Sequence, residues 1–394
     1  MLSNKSKIRV GIFADDIDRK AMGTTLVLQR LVAQYLDNFS DQVEVALIYK
    51  EGKCVHPLCE RAQKVPVKLF RLPKFAGFFS YLWFFLFTKE RFDIVHYLRP
   101  SFHPFFWLMR VLGKTKKIAA TFHGAPDNKD IPIYQTFFNR FNRWLITWFG
   151  QYFLDAAIAD SKLGVEQIAN YYKISPKKIP AIYLGVEETY QPLLAAKKSE
   201  AQKVLAEKYQ IPFPYILTVA RLDPHKNIHR LLGAFYFLKE KYKIPHKLVI
   251  VGGKHEPDYT KNVEWLIENS PYGQDVYPAP YIGEKDMPAL YGLAEVFAYF
   301  SLSEGFGLPV VEAMASGTPT ALSNISVMPE IGGEAAVYAD PYNAHAIGEA
   351  IYKILQDENL RRDLIKKGLE RAKFFFWKKT AKETVELYER LLKM

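Results

Sequence analysis

The residues best suited to chemistry lie in a segment from Ser303 to Gly317, which reads S-E-G-F-G-L-P-V-V-E-A-M-A-S-G. Its glycines let the backbone approach a ligand closely. A helix beginning near Leu308 would present free N–H groups and a positive dipole end, which suit a phosphate. Glu304 and Glu312 could hold sugar or ribose hydroxyls through charge-assisted hydrogen bonds. The alternative is a glycine-rich turn with two solvated acids.

A second candidate segment runs from Arg221 to Asn227 and reads R-L-D-P-H-K-N. Arginine offers a planar fork of donors and lysine a mobile point charge. Arg221 and Lys226 could therefore converge on one dianion, although taken alone they could be surface cations beside a turn. Together the two segments predict an anion site built from cations at one strand end and a helix N-terminus at another.

The elements that must position these residues form an α/β pattern, because short apolar runs alternate with amphipathic stretches. Ligands of open parallel sheets bind beyond the carboxyl ends of the strands. We predict strands at 8–14, 43–49, 68–72, 94–98, 118–122, 156–159, 179–184, 215–220, 247–251, 277–282, 296–300 and 319–323. We predict helices at 24–37, 75–88, 102–112, 133–153, 163–171, 227–241, 259–269, 285–294, 307–315, 344–355, 358–373 and 377–392.

These segments resemble the motifs of family 4 glycosyltransferases. Arg221–Asn227 resembles their R-x-x-x-K-N element, and Glu304–Glu312 their E-x7-E motif. Between these two motifs, Tyr281-Ile282-Gly283 followed by Leu290-Tyr291 resembles the corresponding stretch of the family. In the first half, Ile94-Val95-His96 is similar to the family's D-V-V-H strand and Thr121-Phe122-His123 to its T-x-H-D. The resemblance implies a GT-B fold, in which two Rossmann-like domains with parallel sheets face each other across a cleft.

The resemblance also implies roles for individual residues in a retaining transferase that uses a nucleotide-diphosphate sugar. Arg221 and Lys226 would hold the diphosphate, Glu312 the ribose hydroxyls, and Glu304 the donor sugar. We assign catalysis to Glu304, Arg221, Lys226 and His123. The implied donor-binding residues are Gly23, Arg221, Lys226, Tyr281, Ile282, Gly283, Glu304, Gly305, Phe306, Gly307, Leu308 and Glu312.

Two positions depart from the family pattern. The family's H-D is here His123-Gly124, so an acidic partner directly after the histidine is missing. The loop after the first strand offers only Met22-Gly23-Thr24 in place of two glycines. His123 could bond the sugar, assist the acceptor, or be an ordinary strand-end histidine.

Breaking the anomeric bond develops negative charge on the diphosphate, which Arg221, Lys226 and the helix N-terminus could stabilise. We find no acidic D-x-D suited to Mg²⁺ between the domains, so we expect neither a metal nor another cofactor. No G-x-G-x-x-G follows the first strand, which disfavours a dinucleotide dehydrogenase.

Composition predicts a folded, two-domain protein. The chain has 394 residues, 49% of them hydrophobic, which excludes disordered and low-complexity classes. Its two cysteines, Cys54 and Cys59, exclude a disulfide scaffold and make a poor zinc site. We therefore expect a reducing environment. No secretory signal or span-length apolar run is visible, which predicts a cytoplasmic protein.

Gln191–Ala206 is polar and rich in alanine and lysine, so we place the domain boundary there. With a linker at 191–212, the resemblance implies an acceptor-binding domain at 1–190 and a nucleotide-sugar domain at 213–373. It places a C-terminal helix, 374–394, back on the first domain.

Charge and aromatic residues concentrate in the first half. Residues 1–190 carry a net charge of +10, against +1 for residues 191–394. Residues 68–116 and 134–153 combine lysine and arginine with many aromatic residues, a pattern that suits an anionic membrane surface. Many of these rings must be core. A single-stranded nucleic acid is the less favoured partner, since no nucleic-acid motif accompanies the pattern. The contact predicted is peripheral, at the inner face of the cell membrane.

The sequence thus predicts a retaining hexosyltransferase of mannose or glucose type. It would use a UDP- or GDP-sugar donor and a glycan or lipid-linked acceptor. A sugar-nucleotide epimerase, a soluble sucrose- or trehalose-type synthase, and a nucleotide-sugar-binding protein without turnover remain alternatives.

Overall fold

The computed structural model describes residues 6–18, 23–52, 54–69, 76–98, 105–124 and 137–394. By contacts between its residues, the chain divides into two compact units. Unit 1 comprises Met1–Leu184 with Trp377–Met394, and unit 2 comprises Gly185–Phe376. Each unit contains one six-stranded parallel sheet, which confirms the α/β prediction of two parallel sheets.

Unit 1 has the strand order β3-β2-β1-β4-β5-β6. Its strands are β1 (Ile8–Phe13), β2 (Val43–Lys50), β3 (Gln63–Val67), β4 (Phe92–Tyr97), β5 (Thr115–Phe122) and β6 (Ala156–Ala159). Its helices are α1 (Gly23–Asn38), α2 (Leu58–Arg61), α3 (Ala76–Phe87), α4 (Leu108–Val111), α5 (Phe137–Phe153), α6 (Lys162–Tyr172) and α15 (Trp377–Lys393).

The two faces of this sheet carry separate cores, because successive side chains of a strand point to opposite faces. In β2, Val45 and Leu47 join the core under α1 and α15, whereas Ala46 and Ile48 join the other core. That second core is strongly aromatic and includes residues of α3, α5 and the segment around α4.

Unit 2 has the strand order β12-β11-β10-β7-β8-β9. Its strands are β7 (Tyr215–Val219), β8 (Lys247–Val251), β9 (Val276–Pro278), β10 (Val296–Tyr299), β11 (Thr320–Ser323) and β12 (Ala336–Ala339). Its helices are α7 (Ala195–Tyr209), α8 (Ile228–Tyr242), α9 (Pro257–Glu268), α10 (Met287–Gly292), α11 (Leu308–Ala315), α12 (Met328–Gly332), α13 (Ala344–Gln356) and α14 (Glu358–Ala372).

Several predicted elements are corrected by the structure. Residues 179–184 form only an isolated bridge between Ala159 and Ala181, because Pro180 lacks the N–H that a continuing ladder needs. The third strand is β3 rather than 68–72, of which residues 70–72 lie outside the described residues. Residues 191–212, predicted as a linker, contain α7 and belong to unit 2, which begins at Gly185.

The structure joins Cys54 and Cys59 in a disulfide, which our expectation of a reducing environment did not anticipate. The bond closes a short loop that backbone hydrogen bonds also hold. Asp18 accepts N–H groups from Cys54, Val55 and His56 at 2.6–2.8 Å.

None of the helices within the described ranges is both long enough and apolar enough to cross a membrane.

Helix α15 is attached to unit 1 through a buried polar cluster as well as apolar packing. The Tyr388 hydroxyl lies 2.6 Å from His96 Nδ1 and 3.1 Å from the Tyr35 hydroxyl. His96 Nε2 lies 2.8 Å from Thr121 Oγ1. Burial, and to a lesser extent His123, lowers the pKa of His96 to about 3. His96 is therefore neutral at pH 7, and both of its ring nitrogens are satisfied.

We expect Tyr388→Phe to lower the free energy of unfolding of unit 1 by about 1–3 kcal/mol, because it leaves buried polar partners unsatisfied. Urea denaturation followed by tryptophan fluorescence would measure this. Tyr152→Phe is the control, because Tyr152 is 74% exposed and its loss should change the free energy by under about 0.5 kcal/mol. Equal effects of the two substitutions would contradict this account of the cluster.

Candidate functional site

The predicted site residues of the second half follow the carboxyl ends of adjacent strands. Strand β7 pairs in parallel with β10, so the loop containing Arg221 and Lys226 comes beside the loop containing Glu304. The two loops are also bonded directly, since the Leu302 N–H donates to the His225 carbonyl at 2.7 Å. The two loops that the sequence assigned to one anion site are therefore neighbours in unit 2.

Lys226, Glu304 and Tyr299 form a buried triad. Lys226 Nζ lies 2.5 Å from Glu304 Oε1 and donates to the Tyr299 hydroxyl at 2.9 Å. The Tyr299 hydroxyl donates to the same Glu304 oxygen at 2.8 Å. The Lys226 and Glu304 side chains are 14% and 12% exposed. Because an ammonium has three N–H donors, these two bonds leave one donor of Lys226 for a ligand.

The charge state of Glu304 follows from two opposing effects. Burial raises the pKa of Glu304, but Lys226, His225 and hydrogen bonds to the carboxylate outweigh it, so the pKa lies below its ordinary value. Burial, followed by the charge of Glu304, raises the pKa of Tyr299 well above its usual range. At neutral pH Glu304 is thus a carboxylate and Tyr299 a neutral phenol.

The backbone around Lys226 is fixed by Asn227. This residue directly precedes α8 as its N-cap and has φ 60°, a left-handed conformation that asparagine tolerates better than most residues. Its side-chain amide donates to the carbonyls of Phe300 and Pro341 at 3.1 and 2.7 Å. Asn227 therefore ties the Lys226 loop to the end of β10.

Arg221 is held by an acid that the sequence interpretation did not include. Arg221 Nη2 lies 3.0 Å from Asp223 Oδ2, and His255 Nδ1 lies 2.6 Å from Asp223 Oδ1. Asp223 is buried, while the Arg221 side chain remains 38% exposed. Asp223 thus orients two groups that can carry positive charge and leaves the outer part of Arg221 available to a ligand.

Glu312 lies on α11 and accepts a hydrogen bond from the Tyr291 hydroxyl at 2.7 Å. Besides burial and Glu304, Glu312 also raises the pKa of Tyr299, whereas Arg221 lowers it. The charges of Arg221, Glu304 and Glu312 therefore all act on one buried phenol.

The turn before α11 requires glycine. Gly307 has φ 93°, and a Cβ there would lie 2.7 Å from Met328 Cε. Phe306 is buried and packs edge-to-face on Phe375 at 5.5 Å. Leu308 begins the helix, and Pro309 has no N–H to offer. Gly305 lies between Glu304 and Phe306 in the same turn.

The intervening stretch is less suited to ligand contact than its neighbours. Ile282 is buried, and the Gly283 N–H donates to the Tyr209 hydroxyl at 3.2 Å. Tyr281 is 61% exposed and is the one residue of the three with an accessible side chain.

In unit 1, His123 has an acidic partner that the sequence interpretation missed. His123 Nδ1 lies 2.7 Å from Asp160 Oδ2, so Asp160 supplies the acid that we considered missing because Gly124 follows His123. The signal available was the position of Asp160 directly after a predicted strand. Gly23, the other predicted residue of this unit, is the exposed first residue of α1.

No cluster of three or more histidine, cysteine or acidic side chains in the described part of the chain could hold a metal ion.

Two family models match the chain. Residues 202–371 match the model described as "Glycosyl transferases group 1", and residues 28–190 match "Glycosyltransferase Family 4".

Curated relatives are mannosyltransferases and sugar-phosphate synthases. O-antigen chain mannosyltransferase B of Escherichia coli is 35% identical over 47% of this chain and 48% of its own length. Serotype-specific mannosyltransferase WbdA of Escherichia coli is 30% identical over 60% of this chain and 29% of its own. Mannosylfructose-phosphate synthase of Agrobacterium fabrum is 25% identical over 60% of this chain and 53% of its own length. The chain thus spans about half or less of these relatives' lengths.

Solved structures share the fold at low identity. Sucrose-phosphate synthase of Thermosynechococcus elongatus matches with a TM-score of 0.77 and 19% identity, covering 98% of this chain and 100% of that one. Anabaena HepE in complex with UDP and glucose matches with a TM-score of 0.77 and 15% identity, covering 97% and 99%. These neighbours are GT-B glycosyltransferases, and this chain has the GT-B fold. With both halves matched by family models, the chain belongs to glycosyltransferase family 4.

Proposed function

We propose that this protein is a retaining hexosyltransferase that moves a mannose-type sugar from a nucleotide-diphosphate donor to a glycan or lipid-linked acceptor. The observation that carries this proposal is the Lys226–Glu304–Tyr299 triad, a buried acid and ammonium beyond the ends of adjacent strands. Family membership supports the reaction class, and the names of the curated relatives support mannose.

The reaction would depend on fixed cations. Departure of the nucleoside diphosphate leaves negative charge on its phosphates, which Lys226 and Arg221 can stabilise without reorganisation. Glu304 would contact the donor sugar, and Glu312 the ribose hydroxyls. Asp223 keeps Arg221 oriented, so less conformational entropy is lost when the guanidinium binds a phosphate.

The donor can be identified by ligand binding. HepE was solved with UDP and glucose and with UDP-glucose, whereas the relatives named mannosyltransferases support a mannose donor. A thermal-shift panel of GDP-mannose, UDP-glucose and the free diphosphates would separate these donors. We expect GDP-mannose to raise the melting temperature most. A larger shift with UDP-glucose would contradict the mannose assignment.

A second candidate function is a soluble synthase that glycosylates a sugar phosphate. Two similar proteins support this alternative: mannosylfructose-phosphate synthase among the relatives and sucrose-phosphate synthase among the fold neighbours. Assays with fructose 6-phosphate and with a lipid-linked glycan as alternative acceptors would separate the two functions.

We also propose that unit 1 contacts anionic membranes through an aromatic stripe on α5. The stripe consists of Phe141, Trp144, Trp148 and Tyr152, which are exposed and spaced three or four residues apart, so they share one helix face. Leu145 and Ile146 of the same helix are buried. The net charge of +10 in residues 1–190 adds attraction to anionic lipid.

A neighbouring helix extends the apolar surface. Trp83 and Phe87 of α3 are exposed, with ring centroids 4.0 Å apart. Residues of α3 and α5 pack on the same face of the sheet, and exposed apolar patches rimmed by polar residues mark interaction surfaces. Arg71 and Lys74, cations within the predicted 68–116 surface, lie outside the described residues, as do the side chains of Phe137 and Arg140.

Lys226→Ala should reduce kcat at least 100-fold, which corresponds to roughly 3 kcal/mol of transition-state stabilisation. It should also raise the pKa of Glu304, because burial then acts without the Lys226 charge. A buried carboxylate that has lost its partner destabilises the fold, so stability must be measured alongside turnover.

The double variant Lys226→Ala/Glu304→Gln separates these effects. We expect it to recover stability in urea denaturation but not activity. Lys241→Ala is the matched control, because Lys241 pairs with Glu349 on the surface and should be nearly neutral. If the stabilised double variant regained wild-type turnover, neither Lys226 nor Glu304 would belong to the mechanism.

EDTA should leave transfer largely intact, since Arg221 and Lys226 would carry the charge compensation that a metal otherwise supplies. Initial rates with and without excess chelator would measure this, with a metal-dependent transferase as the positive control. Complete loss that added Mg²⁺ or Mn²⁺ restores would disprove metal independence.

Trp144→Ser/Trp148→Ser should weaken binding to anionic vesicles at least tenfold, because two large apolar side chains no longer enter the interface. Co-sedimentation of the full chain at low and high salt would measure it, and binding should weaken as salt rises. Trp265→Ser is the control, since Trp265 of α9 is as exposed as Trp148. No binding by the wild-type chain at low salt would contradict the membrane contact.

A further inference from the structure

Unit 1 places a histidine and an aspartate side by side at the ends of neighbouring strands. Strands β5 and β6 are parallel, with Phe122 opposite Ala159 in their register. The residues that follow, His123 and Asp160, therefore leave the sheet together. His123 Nδ1 lies 2.7 Å from Asp160 Oδ2, and the Asp160 side chain is only 2% exposed.

This contact favours one tautomer of His123. A carboxylate oxygen beside an imidazole nitrogen accepts its N–H, so the contact favours the proton on Nδ1. In the neutral imidazole, Nε2 is then an acceptor. Nε2 is buried and has no hydrogen-bond partner among the residues that the structure describes. A buried acceptor without a partner costs free energy, which points to a ligand hydroxyl as the missing donor.

His96 shows that an unsatisfied nitrogen is not general in this sheet. It lies on β4, and its two ring nitrogens contact Tyr388 and Thr121 at 2.6 and 2.8 Å. His96 therefore has the bonding expected of a structural histidine. His123 instead has one nitrogen held by a buried acid and the other directed at no described group.

We propose that Asp160 is a positioning residue, which holds His123 with Nε2 ready to accept a hydrogen bond from a hydroxyl of the sugar substrate. The inference deepens the proposed function and rests on it for the identity of the ligand. Asp160 acts only through His123. Besides Asp160, which directly follows β6, the titratable group found to interact with His123 is His96 on β4, which is neutral.

The test uses the full chain and the isosteric change Asp160→Asn, which preserves packing. An asparagine can either accept from or donate to Nδ1, so it no longer imposes one tautomer. We expect kcat/KM for transfer to fall at least tenfold. His123→Ala should lower kcat/KM further. Adding Asp160→Asn to His123→Ala should cause no additional loss of kcat/KM, because both changes remove the same contact.

Asp155→Asn is the matched control. Asp155 and Asp160 flank the four residues of β6 at opposite ends, and Asp155 pairs with Lys117 at 3.3 Å. A stability cost of altering an aspartate beside β6 should appear in both variants, whereas the loss of transfer should appear only in Asp160→Asn. Additive losses in the double variant would reduce Asp160 to a structural role and overturn the proposal.

A readout that does not need activity separates this inference from the proposed function. Nitrogen-15 spectra of histidine-labelled chain, with His123→Gln to assign the signal, report which ring nitrogen is protonated. We expect an Nδ1–H tautomer in the wild type and a mixture in Asp160→Asn. An unchanged tautomer would overturn the proposal. The expected tautomers in a chain without transferase activity would instead contradict the proposed function.

Discussion

The parallel hydrogen-bonded ladder between neighbouring strands is the constraint on which both candidate sites depend. Parallel pairing brings the carboxyl ends of adjacent strands to one edge, so the residues that follow them must meet. Between β7 and β10 this edge assembles Lys226 and Glu304; between β5 and β6 it assembles His123 and Asp160. In each case residues far apart in sequence become hydrogen-bonded partners.

Burial gives these contacts their electrostatic effect. Water would screen an exposed lysine–glutamate pair, which would then contribute little. Burial removes this screening from Glu304. The pKa of Glu304 is still depressed, because Lys226 and the hydrogen bonds to the carboxylate outweigh desolvation. A charged ligand entering this environment would meet cations that are already oriented.

The sequence predicted the parts of the fold that follow from periodicity. Apolar runs identified β8 and β6 with correct bounds, and the parallel α/β class is confirmed. Pro180 interrupted a run that otherwise resembles a strand. Strand β12 has only four residues, too few for its sequence to be distinguished from a loop. The amphipathic signal of α7 was weak because only Leu205 and Tyr209 of that helix are buried.

The site was predictable where motif residues carry charge and less so where they act through partners. Arg221, Lys226, Glu304 and Glu312 were identified from spacing. Tyr299 was missed because it lies in an apolar strand and resembles a core residue. Asp223 and Asp160 were missed because their importance comes from contacts across the sheet edge, which one-dimensional spacing does not encode.

Helix α15 has a consequence for how the chain is made. Tyr388, Val385 and Leu391 complete a core whose other residues mostly lie between Val10 and Ile182. Because a ribosome releases residues in order, this core cannot be completed until nearly two hundred intervening residues of unit 2 have been synthesised. Unit 2 is contiguous in sequence, whereas unit 1 is not, so the usual order of folding from the N-terminus does not complete unit 1 first. Until α15 emerges, one apolar face of the first sheet is covered by α1 without the contacts that α15 adds.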